Sequence, residues 1–215
     1  MKRNKLKKLI LVAMIAAIAF ITVSLIRIPV VLFLSYEPKD VIITIGGFLL
    51  GPLASFICSL LVSLLEMLTI SDTGLIGAVM NLISTCSFAC TAAIIYKKRR
   101  SLFGAIAGLA AGSVAMICLM LLWNYLITPL YMGVPRDQIT GMLIPVFLPF
   151  NALKAGFNTA LTLAFYKPIV TALRKTGLVE KNSLQVRSSK IGLYLFAGLL
   201  LATCILLLLV LRGVL

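Results

Sequence analysis

"VIITIGGFLLGPLASFICSLLVSLLEML" (Val41–Leu68) runs for 28 residues with Glu66 as its one charge, and the way it divides settles the fold. A helix rises about 1.5 Å per residue, so about 20 apolar residues cross a bilayer core. The other apolar segments, Leu9–Ile26, Leu75–Tyr96, Leu102–Ile127, Phe147–Ala172 and Ile191–Leu211, each fit one crossing. Within the long segment lies "GGFLLGP" (Gly46–Pro52). Proline lacks an amide hydrogen and suits the first turn of a helix.

Charge decides whether the segment breaks there. With "MKRNKLKK" (Met1–Lys8) inside, an unbroken helix would put "YKKRR" (Tyr96–Arg100) outside, against the positive-inside bias. A break at Gly51-Pro52 returns "YKKRR" and the basic stretch Arg174–Lys190 to the inside. The expectation is an all-α integral membrane protein with six helices in a bundle and a seventh, C-terminal crossing. Its N-terminus is cytoplasmic, and residues 1–176 form the bundle, 177–190 a cytoplasmic linker and 191–215 the added helix. The helix ending near Leu50 is short, about 20 Å, and needs shielding by its neighbours. "RIPVVLFLSYEPKD" (Arg27–Asp40) reads as an outer, strand-like loop folding back over the bundle.

Composition agrees. The chain is 61% hydrophobic with a mean hydropathy of +1.13, beyond what a soluble domain can spend. Its net charge of +14 sits in short stretches beside apolar runs, the pattern of membrane-flanking cations and not of a nucleic-acid surface. Met1–Lys8 and the run after it read as an uncleaved first span, since no small-x-small cleavage site precedes a mature soluble domain. The five cysteines lie in apolar runs without a CxxC, and there is no histidine, which leaves zinc or His-based catalysis little to work with. No Walker A loop, G-x-S-x-G elbow or HExxH occurs. Nor does the sequence show a pair of carboxylates in mid-membrane or an inverted repeat to drive uphill transport. The chain reads as a non-enzymatic capture device that borrows energy from partners, with no cofactor of its own.

Polar residues gather toward the outer ends of the spans. Asn151, Lys154 and Asn158 are spaced i, i+3, i+7 on one face of the sixth helix, with Thr162 continuing the stripe. Asn124 lies near the outer end of the fifth helix and Asn81 in the outer half of the fourth. Lys154 could snorkel to the headgroups, but two asparagines on its face favour an inward polar surface. Asn81 reads as interhelical glue, and Glu66 and Asp72 as solvated charges at a helix end. Tyr36, Glu37, Lys39 and Asp40 belong to the first outer loop, and Arg136 and Asp137 to a second one, "TPLYMGVPRDQ" (Thr128–Gln138). On the first helix Ala13 and Ala17, with Ala16 and Ala19 alongside, form a small-residue stripe suited to internal packing or to docking a subunit.

"WNYLITPLYMGVPRDQITGMLIPVFLPFNALKAGFNTALTLAFYKPI" (Trp123–Ile169) strongly resembles the riboflavin-specific S components of bacterial energy-coupling factor (ECF) transporters. "YEPKDVIITIGGFLLGPLASFICSLL" (Tyr36–Leu61) resembles that family's first outer loop and helix hairpin, and the resemblance covers about residues 8–176. It implies a six-helix subunit of the bacterial cell membrane that captures riboflavin outside. The subunit docks, through an alanine stripe like Ala13 and Ala17, onto a transmembrane coupling subunit carrying two ATPases. It implies further that Asn124, Asn151 and Lys154 hydrogen-bond the flavin; Asn158 and Asn81 are candidate binding residues read from the polar pattern. Leu34, Tyr36, Val41, Ile42 and Leu82 are the expected ring and loop contacts. Other vitamins such as pantothenate stay open, as does FMN, whose phosphate Arg136 and Lys39 could meet. A solitary secondary transporter and a membrane enzyme are the readings from other classes. The seventh helix departs from the family pattern, and its leucine richness suggests a lipid-facing anchor.

Overall fold

The computed structural model describes residues 2–71, 73–175 and 190–211. Asp72 and the linker up to residue 189 lie outside the described residues, so expectations placed on them end here. The first helix, α1 (Lys2–Leu25), leads into a two-stranded antiparallel hairpin, β1 (Ile28–Val31) and β2 (Leu34–Tyr36). The strand-like reading of this stretch holds. Ile28 pairs with Tyr36 and Val31 with Leu34, so Leu32 and Phe33 form the tip. Leu32 sits there at φ 51°, a left-handed conformation that costs a branched side chain about 1–2 kcal/mol.

The long apolar segment is broken where the sequence places the break. Helix α2 (Lys39–Leu50) ends at Gly51, whose φ of 101° is a region that side-chain-bearing residues rarely enter. Pro52 then opens α3 (Pro52–Thr69). At 12 residues α2 is about 18 Å long. It survives in a membrane because nearly every residue from Lys39 to Phe48 is buried, with α1, α3, α4 (Gly74–Lys98) and α8 (Leu148–Lys175) around it.

The α4 helix pairs closely with α5 (Leu102–Leu126), across a turn in which the Ser101 hydroxyl accepts the Gly104 amide. The expected outer loop at Thr128–Gln138 is instead largely helical. A short α6 (Thr128–Met132) ends at left-handed Gly133, and α7 (Arg136–Met142) follows Pro135. A π-helical turn (Leu143–Phe147) joins α7 to α8. Pro145 within that turn lacks an amide hydrogen, which favours such a local rearrangement over a regular ladder. The sixth crossing therefore begins near Arg136 instead of Phe147, and its apolar stretch runs Arg136–Tyr166.

Among the described residues five helices are long and apolar enough to span a bilayer: Lys5–Leu25, Pro52–Thr69, Gly74–Lys98, Leu102–Leu126 and Arg136–Tyr166. With the short buried α2 they form the six-helix bundle, and α9 (Lys190–Leu211) adds the seventh helix. One face of α9 lies along α8 and reaches β1. Its Ala197 and Cys204 are buried, while Leu195, Phe196, Leu199 and Leu206 stay exposed. It is thus more than a lipid-facing anchor. Gly156 on α8 makes the close approach possible, because a Cβ there would stand 2.4 Å from the Cys204 sulfur.

Three apolar clusters hold the bundle. Phe88, Leu109, Met116 and Leu163 fill the space among α4, α5 and α8. Val12, Val23, Ile43 and Val62 join α1, α2 and α3. The third, with Val30, Leu34, Phe147, Phe157 and Cys204, seats the hairpin on α8 and α9. At the end away from the hairpin, Phe48 packs on Tyr96 with ring centroids 4.4 Å apart, and the Tyr96 and Tyr166 hydroxyls hydrogen-bond each other.

Candidate functional site

Under the hairpin lies a cavity of about 40 Å³ bounded by four structural units. The hairpin and its flanks give Arg27, Phe33, Leu34, Ser35 and Glu37; α4 gives Met80, Asn81 and Ser84; α5 gives Met120 and Asn124; α8 gives Phe150, Asn151 and Lys154. A small apolar cleft opens beside it, lined by Trp123, Ile76, Ile127 and Tyr131, and it shares Phe33, Thr73 and Met80 with the cavity. One side is therefore rich in hydrogen-bonding groups and the other in aromatic and aliphatic surface.

The three principal predicted residues meet here. Asn124 donates to the Met120 carbonyl at 2.7 Å and accepts from Thr128 at 2.9 Å. Asn151 donates to the Phe147 carbonyl at 2.7 Å, which leaves a second amide hydrogen and its carbonyl oxygen for a guest. Lys154 is only 5% exposed, so it does not snorkel. Its ammonium lies 3.4 Å from Asp40 Oδ2 and keeps further hydrogens to donate. Asn81 lines the cavity and donates to Glu66 Oε2 at 2.9 Å, so it both joins α4 to α3 and faces the site. Leu34 also lines the cavity.

Other expected contacts are placed elsewhere. Asn158 lies deeper on α8, is fully buried and donates to Asp40 Oδ2 at 3.2 Å, while its own carbonyl oxygen has no partner among the described residues. Tyr36 stacks on Phe157 at 4.9 Å, away from the cavity lining. Burial foremost, then the Asp40 carboxylate, pushes its phenol far above the ordinary range, so the group stays neutral. Ile42 faces α1, beside Leu11, Ile15 and Ile18, and Val41 and Leu82 do not line the cavity. Successive helical residues point about 100° apart, so a choice one position off faces another neighbour. Ala13 and Ala17 are exposed on α1, whereas Ala16 and Ala19 pack inward. Beside them an apolar groove of about 240 Å³ runs between α1 and α2.

The largest correction concerns charge. Glu66 is not a solvated helix end, and Lys39 is not a free cation at a mouth. Lys39 is 1% exposed and sits 2.6 Å from Glu37 Oε2 and 2.5 Å from both Glu66 oxygens. Arg27 reaches Glu37 at 3.2 Å. Lys154, Asp40, Asn158 and Thr85 make a second node, in which Thr85 donates to Asp40 Oδ1 at 2.7 Å. Among the described residues three carboxylates, Glu37, Asp40 and Glu66, are buried, and they are matched by Arg27, Lys39 and Lys154. Each ion is held where an unpaired one would be prohibitive. Arg136, the other cation considered for a phosphate, lies 5.3 Å over the Tyr125 ring.

Sequence reasoning passed over Phe33, Met80, Trp123, Ser84 and Phe150. Apolar residues carry no contrast in a membrane chain, although Trp123 adjoins Asn124 and is the single tryptophan. Among the described residues no cluster could hold a metal ion.

A membrane-spanning helical bundle with a small cavity under its hairpin, where hydrogen-bonding groups meet an apolar cleft, has the form of a small-molecule binding site. The chain belongs to the family described as "ECF transporter, substrate-specific component", whose profile matches residues 7–166. It is 28% identical over 185 residues to the riboflavin transporter RibU of Staphylococcus aureus (strain TCH60), an alignment covering 81% of this chain and 95% of that one. It is 30% identical over 176 residues to the riboflavin transporter FmnP of Bacillus subtilis (strain 168), covering 76% and 92%. A solved structure described as "Structure and mechanism of the S component of a bacterial ECF transporter" superposes with a TM-score of 0.68 at 28% identity, covering 79% of this chain and 99% of that one.

Proposed function

We propose that this chain captures riboflavin outside the cell for an ECF transporter, in which a coupling transmembrane subunit and two ATPases supply the energy. The observation that carries the reading is the convergence of Asn124, Asn151 and Lys154 on one cavity beside an apolar cleft. Riboflavin pairs a flat ring system with a chain of hydroxyls, and the two halves of the site match those two halves. An unmatched guest would leave these buried groups unpaired at about 1–3 kcal/mol each, which is the source of selectivity. The naming of both curated relatives as riboflavin transporters supports the same ligand.

In this reading the hairpin end faces outward, the N-terminus is cytoplasmic, and residues 1–176 are the capture unit. The exposed Ala13 and Ala17 face, next to the apolar groove on α1, meets the coupling subunit. A cavity of about 40 Å³ is far below the roughly 300 Å³ of a drug-sized ligand site. Riboflavin therefore enters by lifting Phe33, Leu34 and Ser35 from the cavity, and binding is coupled to movement of the hairpin.

The test is a riboflavin titration of the purified protein, read by quenching of Trp123. Saturable binding of one flavin per chain is expected, weakened about 5- to 150-fold by Lys154→Met, the equivalent of about 1–3 kcal/mol. Absence of saturable quenching, or an unchanged Kd in Lys154→Met, contradicts the reading.

A further inference from the structure

The geometry points to Asp40 as the residue that positions Lys154 for the flavin, acting from behind the site without touching the ligand. This rests on the riboflavin reading above. Asp40 is fully buried and absent from the cavity lining, so its influence must pass through a neighbour. Two neighbouring helices fix its carboxylate. Thr85 of α4 donates to Oδ1 at 2.7 Å, and Asn158 of α8 donates to Oδ2 at 3.2 Å. Its own α2 backbone is held by Thr44, whose hydroxyl donates to the Asp40 carbonyl at 2.6 Å. The remaining approach to Oδ2 is taken by the Lys154 ammonium at 3.4 Å.

A lysine ammonium ends a flexible four-carbon stem and can be drawn to any counter-charge in reach. Glu37 lines the same cavity but is already paired with Arg27 and Lys39, which leaves Asp40 as the counter-charge of Lys154 among the described residues. With Asp40 in place the ammonium stays on the α8 wall beside Asn151, and the site presents no net charge to a neutral guest. Without it the ammonium loses the counter-charge that holds it and is free to move off the α8 wall into the space the flavin needs. Asn158 then has a support role, holding the carboxylate that holds the lysine, and this explains why it shares the polar stripe of α8 without lining the cavity.

A double-mutant cycle on riboflavin affinity tests this. Asp40→Asn keeps the shape and removes the charge. It should weaken riboflavin binding at least tenfold in the otherwise native chain and less than twofold in a Lys154→Met background, because the lysine it positions is gone. Thr85→Val, which removes one donor to Asp40, should give a milder loss of about two- to fivefold with the same dependence on Lys154, and serves if Asp40→Asn does not fold. Equal fold-losses in both backgrounds, or no loss from either variant, overturn the inference while leaving riboflavin binding itself intact. Lys154→Met alone having no effect would strike the site reading first, and the inference with it.

Discussion

Replacing Lys39 by methionine tests the buried ion network at its centre. The substitution preserves most of the side-chain volume and removes the one cation that Glu37 and Glu66 share. Each carboxylate keeps a single partner. Glu37 retains Arg27 at 3.2 Å, but that guanidinium side chain is 36% exposed and holds it weakly. Glu66 retains the Asn81 amide at 2.9 Å. Breaking a buried pair costs about 3–5 kcal/mol, and these residual contacts put the loss near the lower bound, about 3 kcal/mol. For a chain of this size a kcal/mol moves Tm by about 2–4 °C, so a fall of about 6–12 °C is expected. The assay is a thermal scan of detergent-solubilised protein without ligand. Adding Glu66→Gln to Lys39→Met removes one stranded charge and should restore at least half the loss. A shift below about 2 °C in Lys39→Met, the range of an exposed substitution, would refute the reasoning.

Three further outcomes follow from the same geometry. Phe33→Ala trims the residue that the hairpin tip places over both the cavity and the apolar cleft. It should raise both the association and dissociation rates of riboflavin in stopped-flow quenching, with dissociation affected more, since ring contact is lost as well. Tryptophan at Ala13 or Ala17 should leave riboflavin affinity within twofold while cutting ATP-driven uptake by the assembled transporter more than tenfold, because both positions are exposed on α1 away from the cavity. Gly156→Leu drives a side chain against Cys204 and should lower stability by about 1–3 kcal/mol in a thermal scan, with partial recovery on adding Cys204→Ala.

Much of this molecule is legible in its sequence, and the rest is not for identifiable reasons. Gly51-Pro52 announces the break between α2 and α3 because a positive φ and a missing amide hydrogen are properties of those two residues themselves. The polar face of α8 is visible because Asn151 and Lys154 contrast with an apolar background. Glu66 fails as a sequence reading because its burial depends on Lys39, 27 positions away, and no local pattern joins them. A carboxylate near a helix end reads as solvated until its counter-charge is found. Ile42 is turned toward α1 and neither it nor Val41 lines the cavity; which way a short apolar helix is rotated leaves no mark in a run of apolar residues. The helical character of Thr128–Gln138 is hidden by Pro129, Gly133 and Pro135, each of which breaks a helix only locally and here separates short ones.

A structure of the protein bound to riboflavin tests the central claim most directly. The account predicts the flavin beneath a raised hairpin, with Asn124, Asn151 and Lys154 at hydrogen-bonding distance and the ring system against Phe33, Met80 and Trp123. A flavin seated in the α1–α2 groove, or a bundle that leaves those three side chains without contact to it, would contradict the account.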